Sequence, residues 1–187
     1  MSRKQEIQTA AARLFGERGF AASSVRDIAQ AVGLGAASLY NHIGSKDELL
    51  GTICFRCANE YLEGMKAIEA APSDALDKIK ALIALHIRIA LHDRSSVTVF
   101  NDEWRHLQEP QLAEFLALRR NYERRYLRII RDGVETGSLR QADPYIMYQW
   151  ILSSLRWLHL QDTRKLRQTE NEITEQLTSL IINGIEA

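Results

Sequence analysis

The sequence predicts an all-α protein of about nine helices: an N-terminal three-helix helix-turn-helix head, then a larger C-terminal helical domain. Three observations predict it. Apolar residues recur at i, i+3 and i+4 along most of the chain, the period of a helix face. The segments so marked open on capping patterns and close on glycine or proline. Strand signals are nearly absent.

The first helix covers about Arg3 to Arg18, with Ile7, Ala10, Ala11, Leu14 and Phe15 on one face and Gly19 as its stop. The stretch from 24 to 48, SVRDIAQAVGLGAASLYNHIGSKDE, follows. Ser24 with Asp27 three positions on starts a second helix, whose inner face is Ile28, Ala29 and Val32. Gly33 ends it, since glycine takes the left-handed backbone without a Cβ clash. Leu34 plugs the turn. A third short helix spans about Ala36 to His42, with Leu39 and Ile43 inward. Two helices, a short glycine turn and a small residue at the crossing make a helix-turn-helix, or equally an ordinary helical hairpin.

Ser45 and Glu48 cap a fourth helix with no break before Ala71-Pro72, about 25 residues and nearly 40 Å long. Its apolar face is Leu49, Leu50, Ile53, Ala58, Tyr61, Leu62 and Met65. Ser73 is expected to cap a fifth helix from about Asp74 to Leu91. The polar break HDRSS precedes a sixth, about Val97 to Leu107. Pro110 opens a seventh that Gly137 ends after Thr136. Asp143-Pro144 starts an eighth, reaching about Gln161, and Thr169 with Glu172 starts the last, with Ile173, Leu177, Leu180, Ile181 and Ile185 on its face. These last two helices are apolar on more than one stripe, as expected of helices buried on several sides. Paired across a two-fold axis they would form a four-helix bundle; within one subunit they would form an internal bundle.

Hydrophobic residues make up 45% of the chain and charged residues 26%, ordinary values for a folded domain and too apolar for a disordered one. Net charge is zero, so a nucleic-acid partner must be held by a few well-aimed groups. No apolar run reaches the roughly 20 residues of a membrane span. The N-terminus is amphipathic, unlike a secretory signal, and two cysteines suit a reducing compartment, so a cytoplasmic location is expected.

Residues 11 to 50, AARLFGERGFAASSVRDIAQAVGLGAASLYNHIGSKDELL, carry an ordered set of features: Leu14-Phe15, Gly19-Phe20, Ser23-Ser24, Ile28-Ala29, Gly33, Leu39-Tyr40, His42 and Ser45-Lys46. The set resembles the TetR family of bacterial transcriptional regulators. The resemblance implies a DNA-binding head over residues 1–46 and a ligand-binding and dimerisation domain over 47–187. It further implies a homodimer on a double-stranded, palindromic DNA operator, released by a small-molecule effector. Carried over by position, Ser24 and Lys46 would touch phosphate, Tyr40 and His42 the backbone and groove edge, and Ala36, Ala37 and Ser38 the groove itself. Two departures stand out. Gly35 replaces the family's usual Ser or Thr, weakening the cap of the recognition helix, and Ile43 replaces its usual Phe. That helix also lacks Arg or Lys, so Arg26, Arg3 and Lys4 would supply affinity. DEWRHL (102–107), RRNYERRYLRIIRDGVETGSLR (119–140) and DPYIMYQWILSSLRWL (143–158) resemble the family's regulators of fatty-acid and steroid catabolism, which respond to acyl-CoA thioesters.

The C-terminal part offers candidate effector contacts. Phe100, Trp104, Leu116, Tyr122, Trp150 and Trp157 would line an apolar pocket, or simply pack a core. Arg120, Arg124, Arg128 and Arg131 form a basic stripe, either a solvated face or a wall for CoA phosphates. No cofactor is expected. Cys54 and Cys57 form a C-x-x-C without the second pair that zinc needs. Glu103 and His106 form one E-x-x-H where a di-iron bundle needs two, leaving a helical-bundle metalloenzyme as a rival reading. The other rival is an interaction module that keeps the fold without binding DNA.

Overall fold

The structure is a computed structural model, and it describes residues 2–160 and 167–183. Nine α-helices appear among the described residues: α1 (Arg3–Arg18), α2 (Val25–Ala31), α3 (Ala36–Leu39), α4 (Lys46–Ala70), α5 (Ala75–His92), α6 (Arg94–Thr98), α7 (Gln111–Thr136), α8 (Pro144–Leu160) and α9 (Glu170–Ile182). The all-α expectation holds. The expected end of the eighth helix at Gln161 and the inward Ile185 lie outside the described residues.

Local chemistry sets most boundaries. Ser2, Ser24 and Thr169 each accept a bond from a backbone N–H three residues on, and Gln5, Asp27 and Glu172 reach back to the capping residue. Each box satisfies two helix-end donors that would otherwise be orphaned. Asp74, rather than the expected Ser73, caps α5, its Oδ1 accepting from Asp77 N at 2.8 Å. The expected break at HDRSS narrows to one residue: α5 ends at His92, and Asp93 caps α6, accepting from Ser96 N at 3.1 Å, so that the helix starts at Arg94 rather than near Val97. It then widens into a π-turn (Val99–Glu103) and tightens into a 3-10 turn (Trp104–His106).

The chain forms two compact units, Met1–Asn59 with Asp93–Leu118, and Glu60–His92 with Arg119–Ala187. The first unit takes in more than residues 1–46, because α6 and the π-turn pack on α1. Its core joins Ile7, Leu14, Phe15, Ile28, Leu39, Ile43, Leu50, Ile53, Val99 and Phe115. Ile43 is buried there in place of the family's usual phenylalanine. Cys54 and Cys57 are both buried, which leaves no exposed dithiol.

In the second unit α5 packs on both α8 and α9. Glu69 near the end of α4 accepts from Arg125 Nε at 2.9 Å, from Arg125 Nη2, and from Arg128 Nη2 at 2.6 Å. Those two guanidinium groups hold its carboxyl below the usual carboxylate range. A polar-tipped aromatic cluster fills the interior: His86 Nε2 lies 2.8 Å from Tyr122 Oη, and its ring centroid lies 4.6 Å from that of Tyr61. Burial pushes the His86 pKa from 6.5 to about 4. Between those values the unfolded chain binds a proton that the folded chain excludes, so stability is lost as pH falls from 6.5 towards 4. The expected loss is roughly 3 kcal/mol, seen as a lower urea midpoint at pH 4 than at pH 7 and a smaller difference in His86→Phe, where carboxylates such as Glu69 still contribute.

Candidate nucleic-acid interface

The head is built from short-range bonds. After α2 the Gly33 N–H donates to Gln30 O at 3.1 Å and the Leu34 N–H to Ala29 O at 2.8 Å, with Gly33 at φ +66°. This is the paired-bond helix stop that needs a left-handed residue, and it turns the chain sharply into α3. Leu34 packs half-buried against the core, as a turn plug should. Gly35 offers α3 no side-chain cap. The helix is accordingly brief: beyond Leu39 the bonds shorten to i→i+3, from Asn41 N to Ser38 O and His42 N to Leu39 O. The expected helix to His42 is thus one α-turn continued by a tight turn.

The burial pattern separates an inner from an outer face. Ile28, Ala29 and Leu39 are buried, whereas Ser24, Arg26, Ala37, Tyr40 and His42 are exposed, with Ala36 and Ser38 between. Tyr40 leaves 54% of its surface open, unusual for so large an apolar ring. Five of the expected outer contacts are therefore accessible, and Ala36 and Ser38 partly so. The Ser24 hydroxyl is committed to Asp27, which it reaches as donor while accepting from the Asp27 N–H at 3.1 Å. That hydroxyl, then the Ser24 N–H, and then Arg18 and Arg26 hold the Asp27 carboxyl below its ordinary pKa.

Lys46, expected from its position to touch phosphate, is part-buried and bonded within the head. Its ammonium donates to Phe20 O and Ser23 O, each at 3.0 Å, and stands 4.1 Å from the centre of the Phe20 ring. Arg3 is likewise occupied, with Glu6 Oε2 at 2.6 Å and Val32 O at 2.7 Å. Both side chains bind the head together. A sequence cannot show this, because each partner carbonyl is more than twenty residues away.

The candidate effector residues fall in both units. Phe100 and Trp104 belong to the first unit and pack on Phe115, ring centroids 5.5 and 6.2 Å away. Tyr122 is buried in the second unit beside His86, and Trp157 is half-buried. Arg124 is exposed and donates to Asn121 Oδ1 at 2.9 Å. Trp150 is 53% exposed, which corrects its placement in a closed pocket. The helical turn sends Met147, Tyr148 and Ile151 inward and leaves Tyr145, Ile146 and Trp150 outward. The basic stripe also divides. Arg128 goes to Glu69, while Arg120, Arg124 and Arg131 line a shallow groove with Glu123 and Leu127. Arg125, which the stripe omitted, makes the closer contact with Glu69. Glu103 and His106 are 3.6 Å apart, and among the described residues no group of three or more His, Cys, Asp or Glu is placed to hold a metal.

Comparison with known proteins settles the family. Residues 7–53 match the family of bacterial regulatory proteins named after tetR, and residues 72–185 match the tetracyclin repressor-like C-terminal domain. The chain belongs to the TetR family. Among its TetR-family relatives, the HTH-type transcriptional repressor KstR2 of Rhodococcus jostii is 26% identical over 185 residues, covering 98% of this chain and 91% of its own. The ketosteroid transcriptional regulator KstR2 of Mycobacterium tuberculosis superposes with a TM-score of 0.93 at 23% identity, over 100% of this chain and 96% of its own. AibR, in complex with isovaleryl coenzyme A and operator DNA, gives 0.82 at 21% identity, over 96% and 97%. At these identities the two structures share the TetR fold with this chain.

Proposed function

We propose that the protein is a homodimeric, ligand-responsive transcriptional repressor whose α2–α3 surface binds a palindromic operator. The observation that carries the reading is the head itself. A sharply turned helix pair buries Ile28, Ala29 and Leu39 and leaves Ser24, Arg26, Ala37, Tyr40 and His42 exposed, in a TetR-family chain. No arginine or lysine lies on α3. Specificity then rests on methyl contacts from Ala36 and Ala37 and on DNA shape, and affinity on Arg26, Tyr40 and His42. Among the described residues no helix is long and apolar enough to cross a membrane.

The exposed apolar side chains Tyr145, Ile146 and Trp150 on α8 and Leu180 on α9 support dimerisation through those helices. The α7 groove with Arg120, Arg124 and Arg131 suits an acyl-CoA-type effector, since guanidinium groups pair well with phosphate. AibR, of the same fold, binds such a thioester. The effector acts by binding one state of the dimer better than the other. Helix α4, continuous from Lys46 to Ala70, is the element through which the spacing of the two heads would change.

The test is a gel shift with the promoter fragment beside the protein's own gene, in the presence of competitor DNA. A specific complex released by CoA thioesters is expected; no competitor-resistant complex there or elsewhere in the genome refutes the reading. Tyr40→Ala is expected to weaken that complex roughly tenfold, the loss of one or two backbone contacts, and to leave the dimer and its unfolding midpoint unchanged.

A further inference from the structure

Glu103 and His106 lie in the π- and 3-10 turns after α6, yet both are turned onto the α1–α2 corner. Glu103 Oε2 accepts the Phe20 N–H at 2.8 Å. The His106 ring stacks on the Phe20 ring, centroids 5.3 Å apart and planes 30° apart. Lys46 stands over the same phenyl ring and holds Phe20 O and Ser23 O. Phe20 is thus gripped at its N–H, its carbonyl and its ring. The corner is also held by its own packing, since the Phe20 ring is buried edge-to-face against Phe15 at 5.2 Å and its carbonyl accepts from the Ser23 N–H at 3.2 Å. Gly19 sits at φ +84°, and Ser23 ties back to Gly19 O at 2.9 Å and Leu14 O at 3.2 Å. Only three residues separate Phe20 from Ser24, the cap of α2, so this grip joins the direct packing of α2 on α1 in setting the direction in which α2 leaves.

We infer that Glu103 and His106 are positioning residues for operator binding: acting through Phe20, with Lys46, they fix the helix-turn-helix on α1 in the orientation that fits the major groove. The inference rests on the operator-binding reading above. It assigns a role to the E-x-x-H pair without any metal. Operator contacts tolerate little displacement, because base-edge hydrogen bonds and methyl contacts are short-ranged, whereas non-specific phosphate attraction tolerates much. Loosening the grip therefore costs specific binding first. The π-turn is also where such a device belongs, since one widened turn re-aims a side chain without ending the helix.

The sign of the charge effect makes the experiment decisive. Removing a carboxylate from a DNA-binding unit should tighten DNA binding by electrostatics alone. The wild-type dimer is used to select an operator from a random duplex library, and variants are titrated against it by fluorescence anisotropy. Glu103→Ala is expected to bind about tenfold more weakly despite losing a negative charge. Glu103→Gln keeps an acceptor for the Phe20 N–H and is expected to bind as well as wild type or better. His106→Ala removes the stacking of a half-exposed ring and its 3.6 Å contact with Glu103, and is expected to cost a few-fold, with an unchanged unfolding midpoint. In the DNA-free dimer, amide exchange at Phe20 should quicken in Glu103→Ala and not in Glu103→Gln.

Glu103→Ala binding as tightly as wild type overturns the inference and leaves operator binding standing. So does an equal loss in Glu103→Gln, which keeps an acceptor for the Phe20 N–H and so would separate the loss from that bond. If Glu103→Ala does not fold, Glu103→Gln with His106→Ala decides: a His106→Ala protein with wild-type affinity overturns it. A wild-type protein that selects no sequence overturns the operator reading itself, and this inference with it.

Discussion

Trp150→Glu is expected to give a folded protein that sediments as a monomer and binds the operator at least a hundredfold more weakly. The side chain is 53% exposed on α8, beside Ile146 at 66% and Tyr145 at 51%, so the protomer loses little by the change. A dimer seam is different. A buried aromatic is the commonest kind of interface anchor, worth about 2–4 kcal/mol, and a carboxylate put in its place must be desolvated without a partner. The effect on DNA follows from symmetry. A palindrome offers two half-sites, and a dimer binds the second as an intramolecular event at high effective concentration, so separating the protomers loses that gain entirely. Sedimentation velocity and anisotropy on one sample check both halves. A Trp150→Glu protein that remains a dimer with wild-type affinity would place the subunit interface elsewhere.

Phe115→Ala is expected to destabilise the first unit by about 3–5 kcal/mol. Phe115 is fully buried, and its ring meets Phe55 at 5.9 Å, Phe100 at 5.5 Å and Trp104 at 6.2 Å. Truncation removes the edge-to-face contacts of two rings and leaves a cavity that three stiff aromatics cannot collapse to fill. The variant should show a lower urea midpoint, and it should lose operator binding at temperatures where wild type retains it. A shift of less than about 1 kcal/mol would show that the aromatic cluster repacks. The same contacts explain why Phe100 and Trp104, which suggest an effector pocket when read from the chain, belong to a core.

Much of the head was legible without the fold. Ser24 with Asp27, Gly33 with Leu34, and Thr169 with Glu172 are pairs whose partners lie one to three residues apart, so chain geometry alone brings them together. The apolar period named Ile28, Leu39 and Ile43 as inward, and all three are buried. The exposed row from Ser24 to His42 was legible for the same reason, being what the inward row leaves over. Boundaries failed where two residues compete for one role. Ser73 and Asp74 are both good caps, and only the backbone path selects Asp74. The polar letters of HDRSS read as a break because a strong cap and a loop have the same composition.

The sequence by itself determined an all-helical chain, because caps, glycine stops and helical periods act within a few residues, and the ordered match over residues 11 to 50 turned its opening helix pair from a hairpin of either kind into the head of a TetR-family regulator. Only the tertiary structure decided what the charged and aromatic side chains do. Lys46 bonds two carbonyls of the α1–α2 turn, Arg125 and Arg128 close on Glu69, Trp150 faces outward, and Glu103 reaches the Phe20 amide eighty-three residues away. Long side chains choose partners by distance in space, and across such separations the chain imposes no distance until its core has packed.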